Sequence, residues 1–151
     1  MILYRVVHGL YSKDLSGTGA RMTGGRWNPK GIPVLYTSET RSLAALEFLA
    51  HVDKSCIPSG IKILSIDFNS TCGIYDTTKI SLPADWDINP YSGSLYTITD
   101  MWLKSKHSFL MKVPSSIIPD EYNYVINPMH PDIINTTIIT EIDFLSISRL
   151  I

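Results

Sequence analysis

Only two stretches of this 151-residue chain carry the apolar spacing of a helix, whereas six short runs of β-branched and aromatic residues read as strands. The runs are Ile2–His8, Pro33–Thr37, Lys62–Phe68, Phe109–Val113, Tyr122–Ile126 and Thr140–Leu145. Pro114, Pro119, Pro128 and Pro131 separate the last three. The first helical stretch is expected to start from an N-cap at Ser38, with Glu39 in its first turn, and to run to about Val52. The second covers Leu95–Ser105, and residues 69–93, with Gly73, Pro83, Pro90 and Gly93, read as irregular. Without strand–helix–strand alternation there is no doubly wound parallel sheet, and the expected class is α+β, with a largely antiparallel or mixed sheet and a few helices. No repeat, low-complexity tract or linker divides the sequence, so residues 1–151 read as one domain.

Composition narrows the function classes. A hydrophobic fraction of 44% and a charged fraction of 18% are those of a soluble globular protein. The net charge of −1 lacks the basic excess of a nucleic-acid binder. Cys56 and Cys72 are too few for a disulfide framework or a four-cysteine zinc site and read as reduced thiols. No run reaches the roughly 18 apolar residues of a membrane span. The amino terminus lacks a signal-peptide pattern, which points to the cytoplasm.

Five of the nine glycines fall between Gly17 and Gly31, a run that also holds Arg21 and Arg26. Clustered glycines expose backbone N–H groups and tolerate positive φ, and arginine supplies forked donors for phosphate. The run is not a P-loop, because Arg26 and Trp27 stand where Lys and Ser/Thr are required. Nor does a helical pattern follow it, as a dinucleotide-binding fingerprint demands. On composition alone it reads more readily as a surface loop of turns. Leu43, Leu46, Leu49 and Ala50 share one face of the first helix, with Glu47 at its margin, pointing towards partly dry protein. Such a carboxylate either pairs with a nearby cation or opposes the positive charge of an oxocarbenium-like transition state. A phosphate grip followed by a lone carboxylate suggests a nucleotide whose glycosidic bond is the target. His51 lies one turn beyond Glu47, but there is no His-Glu-x-x-His. The other candidate ligands are scattered (His8, His107 and the close pair His130 and Asp132), so no metal site is expected. Tyr36 is either a core tyrosine or a platform for an aromatic base. Ser115 and Ser116, beside Pro114, read as turn residues, and no Gly-x-Ser-x-Gly elbow supports a hydrolase triad.

Taken together, Gly24-Gly-Arg-Trp-Asn-Pro29, Val34-Leu-Tyr-Thr-Ser38, Ser42-Leu-Ala-Ala-Leu-Glu47, Val113-Pro-Ser115 and Asn123-Tyr-Val-Ile-Asn-Pro-Met-His-Pro-Asp132 resemble the RES-domain family. These are toxins of bacterial toxin–antitoxin pairs. The segments occur in the family's order across nearly the whole chain. The resemblance implies a fold similar to ADP-ribosyltransferases, with NAD bound in a split between mixed sheets, and toxicity by NAD consumption. It also implies a cognate antitoxin carrying an Xre-type helix-turn-helix. Carried over by position, Arg26 takes the family arginine, Glu47 the glutamate and Ser115 the serine, with Tyr36 as the family tyrosine.

On that resemblance Arg26, helped by Arg21 and by the backbone at Gly24 and Gly25, would hold the diphosphate of NAD. Tyr36 would pack against the nicotinamide or its ribose. Ser115 would either bond that ribose or position Glu47, and Glu47 would stabilise the ribosyl cation. NAD is then a substrate, with no cofactor or metal required. The acceptor stays open between water, inorganic phosphate and a protein side chain, and so does the alternative of a partner-binding module without activity.

Overall fold

In a computed structural model, residues 1–144 and 149–150 are described. The strands are β1 (Ile2–His8), β2 (Leu35–Ser38), β3 (Ile61–Phe68), β4 (Tyr75–Asp76), β5 (Leu110–Pro114), β6 (Tyr122–Ile126) and β7 (Thr136–Asp143). The α-helices are α1 (Thr18–Thr23), α2 (Arg41–His51) and α3 (Tyr96–Ser105). The strands form one seven-stranded sheet in the order β4-β5-β6-β2-β1-β3-β7. All neighbours are antiparallel except β4 and β5, so the sheet is mixed, as the sequence suggested.

The join between β1 and β2 is unlike the others. β1 pairs with β3 along its whole length, and β2 pairs with β6 over all four of its residues. β1 and β2 meet only where Tyr4 stands opposite Ser38. The sheet is therefore two half-sheets, β4-β5-β6-β2 and β1-β3-β7, sharing one residue pair.

Side-chain alternation along the strands feeds two cores. One gathers Leu3, Leu64, Ile66 and Phe68 from one half-sheet with Leu35, Leu110, Tyr124 and Ile126 from the other, and so spans the seam. Phe68 and Phe109 meet edge-on within it, ring centres 6.0 Å apart. The next residues along β5 and β6, Met111, Val113 and Val125, join Trp27, Val34, Leu95 and Trp102 on the opposite face. α3 supplies Trp102, whose indole N–H reaches the Ser108 carbonyl at 3.1 Å.

Several boundaries differ from the sequence expectation for identifiable reasons. Ser38 is the last residue of β2, held by its pairing with Asn123, and the cap of α2 is Thr40, whose Oγ1 accepts the Leu43 N–H at 3.1 Å. Glu39 lies ahead of the helix and accepts the Tyr122 N–H instead. α2 buries Leu43, Ala44, Ala45 and Leu49, while Leu46 and Ala50 are exposed. The small Ala44 and Ala45 turn the packing face away from the expected one and bring the helix onto β1 and β2. A short strand, β4, arises in the stretch read as irregular because Tyr75 and Asp76 find a parallel partner in β5. β7 begins four residues earlier than Thr140, and Leu145, the expected end of that strand, lies outside the described residues.

Candidate functional site

The glycine-rich run folds into α1 and a tight turn, although no helical pattern was legible there. Gly17 and Gly24 adopt φ values of 75° and 71° at its two ends. A Cβ on Gly17 would lie 2.9 Å from the Val34 backbone nitrogen. Asn28, fully buried, ties the turn together by donating to the carbonyls of Ala20 and Ile32. Its Oδ1 accepts the Tyr36 hydroxyl at 2.6 Å, and that hydroxyl in turn accepts the Trp27 N–H. Burial pushes the Tyr36 phenol well above its ordinary range, so it stays a neutral strut. Gly25 packs on this strut, since a Cβ there would lie 2.6 Å from the hydroxyl. Three of the loop amides are spent inside the loop: Gly24 donates to Ala20, Gly25 to Asn28 and Gly31 to Arg21.

Arg26 is the side chain the turn presents. Its Nη1 donates to the carbonyls of Trp86 and Ile88 at 3.0 and 2.8 Å, and the guanidinium lies 5.9 Å from the Tyr91 ring centre. Nε and Nη2 make no hydrogen bond to the described residues and remain open for a ligand. Arg21 is exposed and does not line the cleft.

Glu47 lies across that cleft on α2, partly buried. Its Oε1 accepts from Ser115 Oγ at 2.9 Å and from Asn123 Nδ2 at 2.6 Å. Asn123 is fixed in turn by the Ser38 hydroxyl, which donates to its Oδ1 at 2.6 Å. Ser115 Oγ also accepts the N–H groups of Ile117 and Ile118. With its proton on Glu47 and its lone pairs filled, Ser115 has nothing left for a ribose, and its geometry is that of a positioning group. Ser116, not Ser115, lines the cleft. Asn123 was not singled out from the sequence, where a polar residue in a half-buried strand looks solvent-facing.

The cleft has a volume of about 450 Å³ and follows the seam, with Tyr4 and Arg5 of β1 on one side and Tyr36 and Ser38 of β2 on the other. This falls within the roughly 300–1,000 Å³ of small-molecule sites. Arg5 is a second cation in it. The guanidinium donates to the Asp14 carbonyl at 2.9 Å and pairs with no carboxylate among the described residues. Burial pulls its pKa below the ordinary arginine value, opposed by the charge of Asp14. The available signal was a charge in the middle of the apolar run Leu3–Val7.

Away from the cleft, His130 and Asp132 come together with Cys72, their ligand atoms all within 4.8 Å. Cys72 is the member that the sequence did not join to this close pair. His130 Nδ1 accepts the Asp132 amide at 3.1 Å, which puts the ring proton on Nε2, 3.9 Å from Cys72 Sγ. A metal-bound histidine instead donates from its second nitrogen. Asp132 accepts from Ser70 Oγ and the Thr71 amide, so the group fastens residues 70–72 to the turn after β6.

A seven-stranded mixed sheet, split at a cleft that Glu47, Arg26 and Arg5 line, places the chain among α+β proteins. The same fold occurs in a chain of the M. tuberculosis MbcT–MbcA toxin–antitoxin complex, with a TM-score of 0.74 and 18% identity over 95% of this chain and 83% of that one. The RES domain family matches residues 2–145, and the chain belongs to that family. Toxin Res of Photorhabdus laumondii is 38% identical over 156 residues, covering 100% of this chain and 97% of the relative. Toxin Res of Pseudomonas putida is 35% identical, with 99% of each chain covered. The Prs ADP-ribosylating toxin of a Sphingobium species is 36% identical over 79% of this chain and 75% of its own length. Among the described residues no helix is long and apolar enough to cross a membrane.

Proposed function

We propose that this chain, as one domain, is the toxin of a toxin–antitoxin pair and cleaves the nicotinamide–ribose bond of NAD. The observation that carries the reading is the Glu47 carboxylate, held by Ser115 and Asn123 at the wall of a cleft that Arg26 and Arg5 also line. Cleavage breaks the bond between C1′ of the ribose and the ring nitrogen. The electron pair leaves with nicotinamide, which departs neutral, and positive charge develops on the ribosyl group. A carboxylate whose one oxygen is pinned by two donors is preorganised to oppose that charge with the other. The open nitrogens of Arg26 hold the diphosphate, and Arg5 adds a second cation from β1. Gly24 and Gly25 leave room beside Arg26, and Tyr36 sets the turn that aims it while its ring borders the nicotinamide end.

NAD is here a substrate consumed in the cytoplasm, and none of these steps calls for a metal. The partner is an antitoxin of the Xre helix-turn-helix type, and the chain itself binds neither nucleic acid nor membrane. The name of the Sphingobium relative favours a second outcome of the same first half-reaction, transfer of ADP-ribose to a protein. The test is nicotinamide release from NAD by the purified chain. Glu47→Gln should lower kcat on the order of 10²–10³-fold, the usual cost of losing one preorganised electrostatic group, and change KM little. Turnover by Glu47→Gln at the wild-type rate would refute the proposed role of the carboxylate.

A further inference from the structure

His51 has no part in the scheme above, yet it lines the same cleft one helical turn beyond Glu47, as the last residue of α2. Its Nδ1 lies 2.7 Å from the Glu47 backbone carbonyl oxygen. A carbonyl can only accept, so Nδ1 carries the proton and Nε2 of the neutral ring is left with its lone pair. Glu47 thus serves twice: its carboxylate is fixed from β6 and the Ser115 turn, and its carbonyl fixes the tautomer of the ring beside it. The exposure of His51 at the cleft rim gives Nε2 access to an incoming molecule.

We infer that His51 Nε2 is the base that takes the proton of the acceptor, and that the acceptor is a neutral hydroxyl, either water or a protein side chain, rather than inorganic phosphate. The inference rests on the NAD-cleaving reading of the site. The acceptor oxygen bonds to C1′ as the bond from C1′ to the ring nitrogen breaks, nicotinamide leaves with the electron pair, and the acceptor's proton passes to Nε2. His51 ends as an imidazolium at a helix C-terminus, where the helix dipole favours a cation. A neutral hydroxyl needs such a base, whereas a phosphate dianion brings its own negative oxygen. The titratable groups sharing the cleft are Glu47 on α2, Tyr4 and Arg5 on β1, Tyr36 on β2, Arg26 and Tyr91.

The test compares wild type with His51→Asn, which keeps an N–H able to reach the Glu47 carbonyl but has no basic nitrogen. Nicotinamide release is followed against pH in phosphate-free buffer, and again with labelled NAD in cell extract to separate water from protein hydroxyls. The wild type should turn over without phosphate, in one arm or the other, with a rate that rises with pH. His51→Asn should be slower by about 10²–10⁴-fold, lack that rise, and be rescued by azide, an anion with no proton to give up. Equal rates and pH profiles for the two proteins, or release by wild type only when phosphate is added, would overturn the inference while leaving NAD cleavage intact. No release by wild type under any condition, phosphate included, would instead remove the NAD reading and the inference with it.

Discussion

At the scale of single residues, the site is a carboxylate with three layers of support: Glu47, then Ser115 and Asn123, then Ser38 and the amides of Ile117 and Ile118. Glu47, Ser115, Arg26 and Tyr36 were legible because their segments carry the family resemblance. Asn123 opens a matching segment and Arg5 interrupts an apolar run, but neither was given a role, because single polar residues on strands look in sequence like solvent-facing ones. Asn123→Ala removes one of the two donors on Glu47 Oε1 and leaves the Ser38 hydroxyl without its partner. It should lower kcat for nicotinamide release by roughly tenfold or more, the worth of one charge-assisted hydrogen bond of about 1.5–3 kcal/mol. Ser115→Ala should show the same kinetic loss and a lower Tm as well, because two partly buried N–H groups lose their acceptor, at less than the about 1–3 kcal/mol of a fully buried unsatisfied group. A Ser115→Ala protein with wild-type Tm and altered KM alone would mean that the serine binds substrate rather than holding Glu47.

At the scale of elements, the positions of six strands and of α2 and α3 followed from pattern, their ends did not, and β4 and α1 were not foreseen. Ser38 and Thr40 are both good caps by type, and only the tertiary pairing of Ser38 with Asn123 hands the cap to Thr40. The helix within the glycine run was hidden because Gly17 and Gly24, which end it, are the residues that suggested a loop. A further element-level tie is the link from residues 70–72 to the turn after β6. There the Thr71 amide, with the Ser70 hydroxyl and His130 adding to it, holds the Asp132 carboxyl below its ordinary range against the opposing effect of burial. A carboxyl whose pKa is depressed by folding contributes stability above its unfolded pKa and loses it as pH falls through the folded one. Melting curves should therefore fall off less steeply below about pH 4 in Asp132→Asn than in wild type, relative to each protein's Tm at pH 7. Identical acid slopes would show that the tie is not linked to proton uptake.

At the scale of the whole molecule, the half-sheets share one strand pair and a single core that crosses the seam on one face. A ligand lying in the cleft would touch β1 and β2 together and so link the halves where the backbone ladder does not. NAD bound to the Glu47→Gln protein should raise its Tm, by the equivalent of about 2.7 kcal/mol at one hundred times Kd. Amides of β1 and β2 should gain more protection from hydrogen exchange than those of β5 and β6. Uniform protection across the sheet would place the ligand elsewhere. The single Tyr4–Ser38 pair has a consequence for how long the protein lasts. If NAD in the cleft clamps the seam, each turnover weakens the clamp, and in a cell drained of NAD the seam should open more often to proteases. Its persistence would then track the pool it depletes.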